Sequence, residues 1–240
     1  MNVSVYRHTG SVIEKSGGST EQMNHQENKN GIIGNFSVAL GLFDYINPIF
    51  YGFTVITVLI KMFGTMSVPS YILFAVGAVI SLIFGLAIPT VKLIVGLGKM
   101  QFKMPVNLVS FVNTGILLSG IALVSHVVGV KPLTLILVLL CAAGIIGLLW
   151  YKTGKFNTVA VLIGAVGYLM IYASLITLSI RNGVILPVIL YALAILLFVF
   201  LCLVGILSNL KNARVHWVIE ISNVICQCAV ATATVILLCR

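Results

Sequence analysis

Three charged side chains lie inside long apolar stretches of this sequence, where a charge needs a structural or chemical reason. Asp44 ends the stretch GLFD, Lys92 lies in IPTVKLIVGL and Glu220 lies in HWVIEISNV. A charge at the centre of a membrane-spanning helix costs at least ~2.5 kcal/mol, so such residues mark ion or solute sites, proton relays or buried ion pairs. Two carboxylates and one ammonium together could bind and release a proton or a cation.

Carboxylates are rare in this chain, which makes their placement informative. Only 5 of the 240 residues are acidic, and Glu14, Glu21 and Glu27 lie within the first 35 residues. Asp44 and Glu220 are therefore the only carboxylate side chains in the remainder of the sequence.

A stripe of polar residues surrounds Glu220 in the last apolar stretch. His216, Glu220, Asn223 and Gln227 follow one another at intervals of 4, 3 and 4 residues, which places them on one face of a helix. Exposure of four strongly polar side chains to lipid would cost free energy, so we expect this face to point into a helix bundle.

The first apolar stretch repeats this pattern. Asp44, Asn47, Tyr51 and Thr54 follow at intervals of 3, 4 and 3 residues, again one helical face. Pro48 lies beside them, and a proline inside a helix frees the carbonyl one turn back, near Asp44. Interrupted helices with freed carbonyls line ion and substrate sites in transporters.

These residues form one hypothesis about a site, and each has an ordinary alternative. Asn47-Pro48 is also typical of a helix start, which would leave Asp44 at the membrane interface. Lys92 could extend its ammonium to the lipid headgroups. Glu220 could pair with Lys92 or His216 merely to hold helices in register. The candidate substrate- or ion-binding residues are Asp44, Asn47, Lys92, His216, Glu220, Asn223 and Gln227.

The composition indicates which elements must position these residues. The chain is 60% hydrophobic and 8% charged, with a mean hydropathy of +1.17, whereas soluble domains are about 45–50% apolar and about 25% charged. We therefore predict an all-α, multi-pass transmembrane helix bundle. The formal net charge of +9 does not indicate nucleic acid binding, because the cations lie singly or in pairs in short connections.

Seven segments reach the length of about 20 apolar residues that a membrane-spanning helix needs. At a rise of ~1.5 Å per residue, Asp44, Lys92 and Glu220 lie on the order of 10 Å beneath the same membrane face. Gly77, Ser81 and Gly85, and likewise Gly115 with Ser119, predict close helix packing. Residues 1–35 form a polar tail that we expect to be disordered. The predicted spans are about 38–61, 70–97, 106–129, 132–151, 157–180, 184–208 and 215–238.

The cations predict the orientation of the bundle. With these spans, nine Lys and Arg residues fall on the side of the N-terminus and four on the other. Because cytoplasmic connections carry the excess of cations, we expect a cytoplasmic N-terminus and an extracytoplasmic C-terminus, in the cell membrane.

The sequence favours a small permease with an intramembrane polar site near its cytoplasmic side. The metalloprotease, serine hydrolase and Walker motifs are absent, so we expect no enzyme activity, cofactor or metal. The alternative is a non-transporting accessory, assembly or immunity protein that acts through helix contacts. The expected partners are the lipid bilayer and a small polar solute or proton, or, for the alternative function, another membrane protein.

Overall fold

The fold is a bundle of long helices joined by short turns. The computed structural model describes residues 38–98, 106–137, 139–140, 156–207 and 213–239, and contains no strand within these ranges. Residues 132–137 and 139–140 are helical. The remaining helices are α1 (Val38–Asp44), α2 (Ile46–Lys61), α3 (Val68–Gly96), α4 (Val106–Val128), α5 (Phe156–Arg181), α6 (Ile185–Leu207) and α7 (Ala213–Leu238).

Six helical segments in the described ranges are long and apolar enough to cross a membrane. They are α1 with α2, followed by α3, α4, α5, α6 and α7, and they correspond to six of the seven predicted spans. This confirms the prediction of an all-α transmembrane bundle, and the protein is a multi-pass membrane protein. The predicted tail at 1–35 and most of the predicted span at 132–151 lie outside the described residues.

The helix of the first span is interrupted where its polar residues lie. Helix α1 ends at Asp44, Tyr45 forms a turn, and α2 begins at Ile46. The interruption has a local cause, because Pro48 lacks the N–H that would bond to the carbonyl of Asp44. The alternative in which Asn47 caps the first helix is wrong, since the N-cap of α2 is Tyr45 and α1 precedes it within the same span.

Small residues bring α3 and α4 together as an antiparallel pair. A Cβ atom on Gly77 would lie 2.5 Å from the carbonyl oxygen of Gly115, so neither helix could approach as closely with a larger residue. The Ser81 hydroxyl donates a 3.2 Å hydrogen bond to the Val112 carbonyl. The predicted packing role is confirmed for these residues. Gly85 instead faces α2, where its Cβ would lie 3.8 Å from Pro48.

Helices α4 and α5 are neighbours that run in the same direction. A Cβ on Gly167 would lie 2.7 Å from the backbone nitrogen of Leu117. At the far end of the pair, Arg181 Nη1 donates a 3.0 Å hydrogen bond to the Val127 carbonyl. Because α4 and α5 run in the same direction, the chain between them must return from one end of the bundle to the other. The predicted span at 132–151 falls within this connection.

The polar stripes of α1, α2 and α7 point inward. On α2, Asn47 and Thr54 are buried, while Ile49, Phe53 and Ile56 are more than half exposed. The same division holds on α7, where Glu220 and Gln227 are buried and Val218, Ile221 and Ile225 are exposed. Large apolar side chains on the outside suit contact with lipid, and the inward stripes place the polar groups in the bundle.

Candidate functional site

The three charged side chains meet inside the bundle. Lys92 Nζ on α3 lies 2.7 Å from Asp44 Oδ2 on α1 and 2.8 Å from Glu220 Oε1 on α7. The side chains of Lys92, Asp44 and Glu220 are only 12%, 10% and 8% exposed. The alternative in which Lys92 extends its ammonium to the lipid headgroups is therefore wrong, because the ammonium lies between two carboxylates.

Asn47 closes these contacts into a ring. Its Nδ2 donates hydrogen bonds to Asp44 Oδ1 at 3.2 Å and to Glu220 Oε2 at 3.0 Å. Each of the four carboxylate oxygens therefore accepts a hydrogen bond from Lys92 or Asn47. We call Asp44, Lys92, Glu220 and Asn47 the charged ring. With all three ionisable groups charged, the ring carries a net charge of −1.

The ring fixes the orientation of the Asn47 amide. If the amide were reversed, its oxygen would face two carboxylate oxygens, which can only accept hydrogen bonds when ionised. The nitrogen must therefore face the ring, and Oδ1 faces away from it. Oδ1 is buried, and among the described residues no group donates a hydrogen bond to it.

A polar cavity of about 140 Å³ adjoins the ring. Because a water molecule needs roughly 10–15 Å³ of such space, the cavity has room for several waters or for a small solute with some of its hydration. Of the described residues that line it, Asp44 carries the only charge. Its polar side chains are Asp44, Asn47, Tyr51, Ser81, Tyr168, Asn223 and Gln227.

Two prolines each remove a helical backbone donor from a residue in the wall of this cavity. Pro89 lies inside α3 and cannot donate to the carbonyl of Gly85, four residues earlier. Pro48 has the same effect on the carbonyl of Asp44. Gly85 and Asp44 both line the polar cavity, so two backbone carbonyls without their usual helical donors belong to residues in its wall.

Tyr51 adds a further polar atom that lacks a well-formed partner. Its hydroxyl is buried and makes no hydrogen bond of normal geometry within the described part of the chain, although the hydroxyls of Ser81 and Ser119 approach it. An unpaired buried hydroxyl is costly, and native structures usually satisfy such groups with water or a ligand.

Two further cavities continue along the bundle from the ring. A space of about 20 Å³ shares Tyr51 and Gln227 with the polar cavity and is otherwise lined mainly by apolar side chains. Among these, Val58, Leu123 and Leu175 are almost completely buried, and we call them the apolar layer. A wider far cavity of about 700 Å³ lies at the other end of the same helices, beside Ser125, His126 and Lys131.

The structure brings together six of the seven candidate residues. Asp44, Asn47, Lys92 and Glu220 form the ring, and Asn223 and Gln227 line the adjoining cavity. His216 lies one turn before Glu220, is half-buried, and does not line the cavity.

Ser81, Gly85 and Pro89 are not among the site residues predicted from the sequence. The sequence does contain a signal for them, namely their spacing. Pro89 follows Gly85 by four residues, and Ser81 precedes Gly85 by four. The chain matches no protein-family model, no curated protein and no solved structure. The chemistry of the site must therefore be inferred from its own residues.

Proposed function

We propose that this protein is a small, non-enzymatic permease that couples the movement of a small solute to protonation of the charged ring. The observation that carries this proposal is the position of the ring, which borders a polar cavity inside a membrane-spanning bundle. The cavity offers space for a solute, and the ring offers carboxylates whose charge depends on protons.

A purely structural ion pair explains less of the geometry. Buried ion pairs can hold helices in register, at a cost in desolvation. Such a clamp needs neither an adjoining cavity nor acceptors that point away from it. The Asn47 oxygen is buried without a donor among the described residues, and the Tyr51 hydroxyl is buried without a hydrogen bond of normal geometry there. Both residues line the cavity, which favours a ligand site.

The ring also supplies a way to couple binding to movement. It links α1, α3 and α7, so protonation of one carboxylate weakens the attraction between Lys92 and the helix that carries that carboxylate. The linked helices can then shift relative to one another, and the apolar layer of Val58, Leu123 and Leu175 is the barrier that this shift must open. Transporters alternate access through rearrangements of this kind around a fixed site.

The orientation follows from the distribution of cations in the sequence. With a cytoplasmic N-terminus in the cell membrane, the ring lies towards the cytoplasm and the far cavity faces the outside. In that arrangement the apolar layer closes the route from the site to the extracytoplasmic face.

The test is proton flux in liposomes that contain the purified protein and a pH-sensitive dye. Addition of a transported solute should move protons in wild-type liposomes and should move none with Glu220→Gln. Lys61→Gln, in the exposed last turn of α2, is the control and should behave as wild type. Equal proton movement in wild type and a folded Glu220→Gln protein would contradict the proposal.

The alternative, an accessory or assembly protein, has one observation in its favour. Every carboxylate oxygen of the ring already has a donor, as a finished structural clamp would require. This function predicts a stoichiometric membrane partner that co-purifies from native membranes. It also predicts that partner binding survives Tyr51→Phe, which leaves the ring intact.

A further inference from the structure

We infer that the polar cavity binds one small monovalent cation, and that this cation competes with the proton that neutralises the charged ring. The inference rests on the proposed permease function and names the class of its solute. It is carried by the charge of the ring, by the acceptors in the cavity wall and by the buried Asn47 oxygen.

Net charge selects the valence of the ligand. The ring holds two carboxylates and one ammonium, so it carries −1 when all three are ionised. One monovalent cation or one proton brings the local charge to zero, whereas a divalent cation would leave +1 buried at a cost in desolvation. Neutral solutes would leave the −1 charge uncompensated.

The wall of the cavity selects the chemistry of the ligand. Asn47 lines the cavity and is 7% exposed, and its Oδ1 has no donor among the described residues. The carbonyls of Gly85 and Asp44 lack their usual helical donors, because Pro89 and Pro48 have no backbone N–H. Asn223 and Gln227 contribute amide oxygens, and Tyr51 contributes a hydroxyl. Oxygen acceptors around a net negative charge suit a hard cation.

Titratable side chains lie near the ring and the cavity on several of the surrounding helices. Asp44 comes from α1, Lys92 from α3, and Glu220 with His216 from α7. The phenols of Tyr51 on α2 and Tyr168 on α5 face the cavity, while α4 contributes the apolar Val112 and Ile116. Of these groups, the carboxylates of Asp44 and Glu220 and the ammonium of Lys92 belong to the ring.

The exchange balances in charge and atoms. When a cation enters, the protonated carboxyl of Asp44 or Glu220 loses its proton to water. When the cation leaves, that carboxylate takes up a proton again. Each binding event exchanges one cation for one proton, so transport is electroneutral and independent of the membrane potential.

Binding is measured first, with radioactive Na⁺ on the purified full-length protein in detergent. We expect one Na⁺ per chain in alkaline buffer and loss of binding in acidic buffer. Tyr51→Phe leaves every contact of the ring in place and should bind Na⁺ about tenfold more weakly, as expected for the loss of one contact to a charged ligand. Glu220→Gln removes the net negative charge and should abolish binding.

Proteoliposomes then identify the cation and separate the two proposals. An imposed Na⁺ gradient should drive proton movement, and its rate should not change when K⁺ and valinomycin clamp the membrane potential. Parallel experiments with Li⁺, K⁺ and methylammonium rank the cations. Proton flux driven only by an uncharged solute would overturn this inference and leave the permease function intact. No proton flux with any solute, together with no Na⁺ binding, would overturn both.

Discussion

Lys92 and Asn47 hold the same two carboxylates through different oxygen atoms. Lys92 neutralises one of the two negative charges, whereas Asn47 donates hydrogen bonds without changing the charge. Lys92 therefore controls the charge balance of the ring, and Asn47 controls its geometry. Removal of the lysine leaves two like charges that are held together by one amide.

Lys92→Met should destabilise the protein strongly at neutral pH. Breaking a buried ion pair costs about 3–5 kcal/mol, because the partner charge is left uncompensated. Acidification protonates one of the two carboxylates and relieves their repulsion, so the variant should regain stability as the pH falls. Thermal unfolding in detergent across a pH series measures this effect.

Lys61→Met is the control for this series, because Lys61 ends α2 in an exposed position. It should unfold as the wild type does at each pH. A Lys92→Met protein that is as stable as wild type at neutral pH would show that the ion pairs contribute little.

At the scale of the helices, spacing predicts the faces but not the neighbours. The intervals between Asp44 and Thr54, and between His216 and Gln227, correctly indicate two inward faces, because helical geometry alone sets them. Contact between helices depends on packing across the bundle, so the sequence left open whether Lys92 extends to the headgroups. Pro89 was overlooked because its effect falls on a backbone atom of Gly85, which carries no polar side chain.

Two glycines on α3 provide a matched test of the packing. Gly77→Ala places a Cβ 2.5 Å from the carbonyl oxygen of Gly115, whereas Gly85→Ala places one at an ordinary 3.8 Å from Pro48. We expect Gly77→Ala to lower the free energy of unfolding by about 1–3 kcal/mol or more, as overpacking does. Gly85→Ala should have little effect, and denaturation in detergent compares the two. Equal loss of stability in both would contradict the close approach of α3 and α4.

Pro89→Ala tests whether the interrupted helix serves the site. Alanine restores the N–H that bonds to the carbonyl of Gly85 and removes the steric cost of a proline inside a helix. We expect a melting temperature equal to or above that of the wild type, together with several-fold weaker cation-driven proton flux. A variant whose flux equals that of wild type would show that the freed carbonyl has no role.

For the whole molecule, the described cavities form a series along the bundle that the apolar layer interrupts. The series follows α2 from Asn47 through Thr54 to the turn at Thr65. A permease needs such a barrier, because a continuous polar path would dissipate any gradient. The sequence indicated the polar end through Asp44 and Glu220. It could not indicate the barrier, since Val58, Leu123 and Leu175 are apolar residues among many others.

Leu123→Ala should convert coupled transport into a leak. Leu123 is fully buried in the apolar layer beside the small cavity, and loss of its side chain enlarges that cavity towards the far side. We expect passive proton flux in liposomes without any added solute, and a loss of about 2–5 kcal/mol in stability. Leu196→Ala, on the exposed face of α6, should cause neither effect. If a folded Leu123→Ala protein gives no passive proton flux, the barrier lies elsewhere. If Glu220→Gln in the same chain abolishes the leak, the escaping protons pass through the charged ring.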